Sequence, residues 1–281
     1  MKKILVPTDF SPNADKALDY AVRLACYTNA KIILVHACDL PGHSFSDNVA
    51  LKESFNRKLI LESKEQLQMR KKSIETSERV SVQTAVYEGS VIDSVAEAAV
   101  KSKADLIVMG TLGSAAASEK IFGSKTAGLI GKTDIPVLVI PLLSEWEVPR
   151  NILLALNKPE EGTGDVIRPV VFLSKLFNAQ LHFVHIANPG RAHPARTSTM
   201  DQLGNEYASR LQQAYDWNLI SFSKLYGHGF EKIMEKYIQE NQIHIVAMIT
   251  HKRPLLKSIF HRSMTKKMSY HTAIPLLVLT I

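Results

Sequence analysis

Cysteine is nearly absent: the 281 residues hold two, Cys26 and Cys38. Neither belongs to a CxxC pair, and no histidine or cysteine stands beside them at ligand spacing, which excludes a disulfide framework and a cysteine-based zinc knuckle. Both are read as small core residues. Long apolar runs are missing too. None approaches the roughly 18 residues a membrane helix needs, and the N-terminus, MKKILVPTDF, turns polar before a signal-peptide core could form. A cytosolic chain with no membrane partner is expected. A Rossmann GxGxxG is absent. The string GLIGKT, Gly128 to Thr133, contains the GKT of a P-loop, but Thr126 stands where the first glycine is required. It also precedes an apolar β-like run, whereas a P-loop follows one.

What is present is ordinary globular composition, 46% hydrophobic and 22% charged, enough for two compact domains. The formal charge of +7 permits attraction to polyanions without requiring it. Much of the excess lies between Lys252 and Lys267. There, Leu255, Leu256, Ile259, Phe260, Met264 and Met268 form an apolar helical face, leaving the lysines and arginines to solvent or to an anion pocket. No interleaved aromatic platform accompanies them, so a nucleic-acid partner is not expected.

The chain repeats itself. KKILVPTDFS (Lys2 to Ser11) answers to RNILLALNKP (Arg150 to Pro159), and AKIILVHACD (Ala30 to Asp39) to AQLHFVHIAN (Ala179 to Asn188). Val86 to Thr111 matches Leu225 to Thr250, and DIPVLVIP matches AIPLLVLT. All four blocks keep their order, which indicates a duplicated domain, 1–144 and 145–281. Runs such as KIILVH and DLIVMG are apolar at every position, the mark of parallel strands covered on both faces. Between them, Ala14 to Tyr27 carries Ala17, Leu18, Ala21, Leu24 and Ala25 at helical spacing, with Ser11 or Asn13 as N-cap. Val91 to Lys101 does the same with Ile92, Val95, Ala96 and Ala99. The charged stretch from about Asn48 to Ile74 reads as a surface helix with a solvated face. The fold class is therefore α/β: two tandem, open, mainly parallel five-stranded sheets flanked by helices, Rossmann-like in architecture.

In such a sheet, ligands sit beyond the carboxyl ends of the strands. Gly110 and Gly113 fall there, after DLIVM, and Gly123, Ser124 and Thr126 follow at a helix start whose N–H groups and dipole favour an anion. Glycines let those N–H groups approach a phosphate, and the hydroxyls add donors. Loop glycines also serve simple turns, so both readings stand on spacing alone. Asp9 likewise reads as a ribose acceptor or as a turn and capping residue.

The spacing Gly110-x2-Gly113-x9-Gly123-Ser124 resembles the nucleotide-binding signature G-x2-G-x9-G-[ST] of the universal stress protein family. ILVPTDFS is similar to that family's first strand and aspartate-bearing turn, ILVHA to its second strand and DIPVLVIP to its last. The resemblance covers essentially the whole chain as two copies. It implies an ATP site, with ADP or AMP as alternatives and a magnesium or manganese ion alongside. Pro7, Thr8 and Asp9 would border the adenosine and the backbone near Ala37 would face adenine. Met109, Gly110, Gly113, Gly123, Ser124, Lys125 and Thr126 would enclose the phosphates. It further implies that the two halves pair as a pseudo-dimer through strands near Val137 and Leu277, with a further homodimer open.

In the second half, Ile249 aligns with Gly110, Lys252 with Gly113, His261 or Arg262 with Gly123, and Asn157 with Asp9. That copy is expected to have lost the site. The expected role is a nucleotide-dependent sensor or interaction protein of the stress response. The competing readings are a slow ATPase, for which Glu119 and Lys120 lie between the glycines, and a scaffold or chaperone indifferent to nucleotide. No residue is assigned a catalytic or metal-binding role. His182 and His185, three apart on a strand, point to opposite faces and cannot chelate together, which leaves His251, His261 and His271 to converge only through tertiary structure.

Overall fold

The computed structural model describes residues 1–39, 49–111, 123–156, 164–187, 194–226, 230–250 and 274–281. The chain divides into two units, Met1–Leu142 and Leu143–Ile281.

In the first unit, β1 (Lys3–Pro7) leads to α1 (Pro12–Thr28), β2 (Lys31–Cys38), α2 (Val49–Ser77) and β3 (Val82–Glu88). Then come α3 (Val91–Ser102), β4 (Leu106–Gly110), α4 (Ser124–Ile130) and β5 (Val137–Ile140). The strand order is β3-β2-β1-β4-β5, and each of these pairings is parallel. The chain thus runs outward from β1 to β3, then returns to β1's other side for β4. This reversal opens a crevice between β1 and β4 at their carboxyl ends.

The second unit contains β6 (Asn151–Leu156), α5 (Arg168–Phe177), β7 (Gln180–Ala187), α6 (Pro194–Tyr215) and β8 (Ile220–Tyr226). It closes with α7 (Phe230–Glu240), β9 (Ile245–Thr250) and β10 (Leu276–Thr280). Its order, β8-β7-β6-β9-β10, repeats that of the first unit, again with parallel pairs. Register repeats as well: Ile4 faces Leu106 and Leu5 faces Ile107, as Ile152 faces Ile245 and Leu153 faces Val246.

Backbone conformation carries the duplication further. Seven described non-glycine residues have positive φ. Asn29 and Asn178 end α1 and α5, Lys103 and Gln242 follow α3 and α7, and Arg79 and Asp216 follow α2 and α6. These are left-handed helix ends placed alike in the two halves. Phe10, φ 63°, is the seventh and belongs to no helix end.

The core is built as the apolar runs require. Ile4, Leu5, Val6, Ile32, Leu34 and Leu106 to Val108 are buried in the first sheet, and Ile152 to Leu154 and Phe183 in the second. On α1 the stripe Ala17, Leu18, Ala21, Leu24 and Ala25 is buried, widened by Tyr20 and Val22. Ser11, not Asn13, is the N-cap, its hydroxyl accepting from the Ala14 N–H at 3.3 Å, with Pro12 following. On α3 the buried set is Ser94, Val95, Ala98 and Ala99, so the stripe is rotated from the expected one and Ile92 and Ala96 are only half-buried. Cys38 is buried, but Cys26 is exposed, against expectation: it follows Ala25 by one helical step, which turns it off the buried face. No described helix is long and apolar enough to cross a membrane.

Candidate functional site

A cavity of about 590 Å³ opens at the carboxyl ends of β1, β2 and β4 in the first unit. Ten of the eleven residues singled out from the sequence line it: Pro7, Thr8, Asp9, Ala37, Met109, Gly110, Gly123, Ser124, Lys125 and Thr126. The eleventh, Gly113, lies outside the described residues, as do Glu119, Lys120 and the basic stretch Lys252 to Lys267 with its histidines.

The turn after β1 is tied at nearly every polar atom. The Thr8 N–H donates to the Val35 carbonyl at 2.8 Å, extending the β1–β2 ladder by one bond. Its hydroxyl accepts from the Phe10 N–H at 3.0 Å, and its carbonyl accepts from His36 Nδ1 at 2.8 Å. Asp9 accepts from both the N–H and the hydroxyl of Ser11. Asp9 therefore performs the turn role and at the same time lines the cavity. Because Nδ1 must donate to a carbonyl, the neutral His36 ring leaves Nε2 as its acceptor. The second unit repeats the bond: His185, aligned with His36, donates from Nδ1 to the carbonyl of Leu156 at 3.2 Å. The pairing is thus architecture common to both copies.

Gly110 and Thr126 also make contacts within the protein. A Cβ on Gly110 would lie 2.7 Å from the backbone oxygen of Asn13, so this glycine lets the start of α1 pack on the end of β4. Thr126 is buried, and its hydroxyl donates to the Gly110 carbonyl at 3.1 Å. Gly123 has also spent its N–H, which donates to the Thr111 carbonyl at 2.6 Å. The helix that follows, α4, is seven residues long. Ser124 and Lys125 have exposed side chains at the cavity's rim. The GKT look-alike is accounted for structurally: Gly131 follows α4, Lys132 pairs with Asp93, and the Thr133 hydroxyl accepts from the Ile135 N–H at 3.1 Å.

Sequence reasoning missed the far wall. Leu59 and Ser63 of α2 line the cavity beside Val91, Val95, Cys38 and Asp39. Ser63 Oγ donates to the Leu59 carbonyl at 2.7 Å and lies 3.5 Å from Cys38 Sγ. The charges of α2 are solvated, yet the buried Ser63 and Leu67, four apart, mark the face that turns inward. Asp9 and Asp39 are the two carboxylates of the lining, and no group of three or more potential metal ligands occurs among the described residues.

In the second unit, His182 and His185 do turn to different surroundings. His182 Nε2 lies 3.3 Å from Asn151 Oδ1, with Nδ1 3.1 Å from the Tyr237 hydroxyl, which is itself 3.1 Å from Ser223 Oγ. Burial holds the His182 pKa below its ordinary value.

The universal stress protein family model matches residues 1–141 and again 149–280. Over 139 residues, half of this chain and 81% of the relative, the sequence is 32% identical to universal stress protein MJ0531 of Methanocaldococcus jannaschii. It is 26% identical over 160 residues to the stress response protein NhaX of Bacillus subtilis, covering 49% of this chain and 96% of that one. A crystal structure of a universal stress protein from Archaeoglobus fulgidus shares the fold, with a TM-score of 0.74 at 15% identity over 99% of this chain and 98% of that one. Two matches of one family model, one on each half, establish that the chain belongs to the universal stress protein family, as two tandem domains.

Proposed function

We propose that the first unit binds an adenine nucleotide, ATP with its divalent cation, and that the protein acts as a nucleotide-dependent sensor or interaction protein. One observation carries the reading: the cavity at the switch point between β1 and β4 gathers ten residues chosen from widely separated parts of the sequence. Its volume falls within the range of about 300–1,000 Å³ usual for small-molecule sites. The donor set fits such a ligand. Apolar walls from Val35, Leu59, Val91 and Val95 suit a base, the Asp9 carboxylate suits ribose hydroxyls, and Ser124 and Lys125 suit phosphate oxygens. Magnesium keeps several waters and binds through one or two carboxylates and the phosphates, a demand that Asp9 or Asp39 meets.

The test is calorimetric titration of the full chain with ATP and magnesium, alongside mass spectrometry of small molecules released on denaturation. ATP should bind, and Lys125→Ala should weaken it several-fold with the fold unchanged. No binding at millimolar ATP would defeat the proposal.

A further inference from the structure

Arg70 does not line the cavity, yet it grips the turn that carries Asp9 from the outside. Its Nε and one terminal nitrogen reach the two carboxylate oxygens of Asp15 at 2.9 and 3.1 Å, a bidentate pair across 55 positions of sequence. The same guanidinium lies over the Phe10 ring, 4.9 Å from its centroid. Phe10 also stacks on His36, centroids 4.5 Å apart and planes 24° from parallel. A closed circuit results. Asp9 orients Ser11, Ser11 caps α1, Asp15 in the first turn of α1 holds Arg70, and Arg70 covers Phe10 beside Asp9. Phe10 sits at φ 63°, a left-handed conformation that is unfavourable for a bulky residue and persists only where its surroundings hold it. Among the described non-glycine residues with positive φ, the six others are paired helix ends and Phe10 alone sits in a strand-to-helix turn.

The other partner in the circuit is α2. Its buried side chains are few, Ser63 and Leu67, while Leu51, Leu61 and Met69 stand exposed. Leu59 and Ser63 form the cavity wall and Arg70 forms the clamp, while farther along the helix Gln68 Nε2 donates to Thr84 Oγ1 at 2.9 Å and Glu75 accepts from the Val82 N–H at 3.0 Å. A surface helix with so few fully buried side chains can undock without unfolding the sheet beneath it.

Building on the nucleotide-binding reading, we infer that Arg70 is a positioning residue of this site and that it couples cavity occupancy to the docking of α2. A nucleotide that engages Asp9 and fills the space against Leu59 and Ser63 favours the docked helix. By reciprocity, loosening the clamp weakens nucleotide binding although Arg70 makes no contact with the cavity. The exposed face of α2 thereby changes its exposure with the nucleotide, which supplies a surface for a partner to read.

The experiment is amide exchange by mass spectrometry on the full chain, with and without ATP and magnesium, together with ATP affinity for wild type, Arg70→Lys and Arg70→Ala. Saturating ATP should slow exchange across residues 59–70 by at least about fivefold, a typical coupling factor. Arg70→Ala should weaken ATP binding by a similar factor at an unchanged overall unfolding midpoint. Arg70→Lys, which keeps the charge but neither the planar fork nor the stacking, should fail to rescue it. ATP binding with exchange in α2 unaltered overturns the coupling and leaves the nucleotide reading standing. Full rescue by lysine overturns the assigned role of the guanidinium plane. Failure of wild type to bind ATP overturns the nucleotide reading and the coupling with it. If a variant proves unstable, the wild-type exchange comparison decides alone.

Discussion

A Cβ added to Gly110 would meet the Asn13 backbone oxygen at 2.7 Å and its carbonyl carbon at 3.0 Å, both rigid parts of α1. The Gly110→Ala variant should therefore lose roughly 1–3 kcal/mol of stability by overpacking. Gly128 is the control. There a Cβ would meet the Ile92 Cδ1 at 2.3 Å, the end of a side chain that can rotate away, and alanine suits a helix interior better. Gly128→Ala should stay within about 1 kcal/mol of wild type, and denaturant unfolding of both variants checks the contrast. At Thr126 the hydroxyl's bond to the Gly110 carbonyl predicts that Thr126→Val costs about 1 kcal/mol while Thr126→Ser costs less. If Thr126→Val leaves stability alone but abolishes ATP binding while Thr126→Ser keeps it, the hydroxyl serves phosphate instead. Here lies the limit of reading residues from spacing. The sequence motif names Gly110 and Thr126 together, and the two do meet at one cavity. It does not say that their atoms are turned toward each other and toward Asn13, because that depends on how α1 lies on β4.

Elements were legible where the apolar pattern was strong and local. The continuous runs of β1, β2 and β4 and the stripe of α1 follow directly from their periodicity. The inward face of α2 was hidden, because among its described side chains only Ser63 and Leu67 are buried and charge dominates the rest. Equally hidden was the polar chain that joins four elements of the second unit: Asn151 of β6, His182 of β7, Ser223 of β8 and Tyr237 of α7. The Asn151 side-chain nitrogen donates to the Gln242 carbonyl at 3.4 Å, which leaves its oxygen toward His182 and places the ring proton on Nε2. His182 is lowered from 6.5 by burial, so the folded protein binds this proton less readily than the unfolded chain. Its contribution to stability is complete above about pH 6.5 and declines as pH falls toward the folded value. Unfolding midpoints at pH 7.5 and 5.5 should therefore drop more for wild type than for His182→Gln. Equal drops would remove His182 from the acid response.

The molecule as a whole was legible as a duplication because strand order, register and helix-end conformations all repeat with the sequence blocks. The described residues of the two copies differ where the first has its cavity. β1 ends at Pro7 and α1 begins at Pro12, whereas β6 ends at Leu156 and α5 begins only at Arg168. The register makes Ile249 of β9 the counterpart of Gly110 in β4. A branched side chain thus stands at the position where the first unit has the glycine on which α1 packs, and the second unit's strand and helix are joined by a longer connection. Restoring the glycine cannot shorten that connection. Calorimetry should therefore find about one ATP bound per chain in wild type and no second site in Ile249→Gly, whereas Asp9→Ala should reduce the single site's affinity about tenfold or more, as expected for a charged hydrogen-bond acceptor. Two equivalent sites in wild type would show that the second unit binds nucleotide without the glycine cradle, and would remove the structural distinction on which the single-site reading depends.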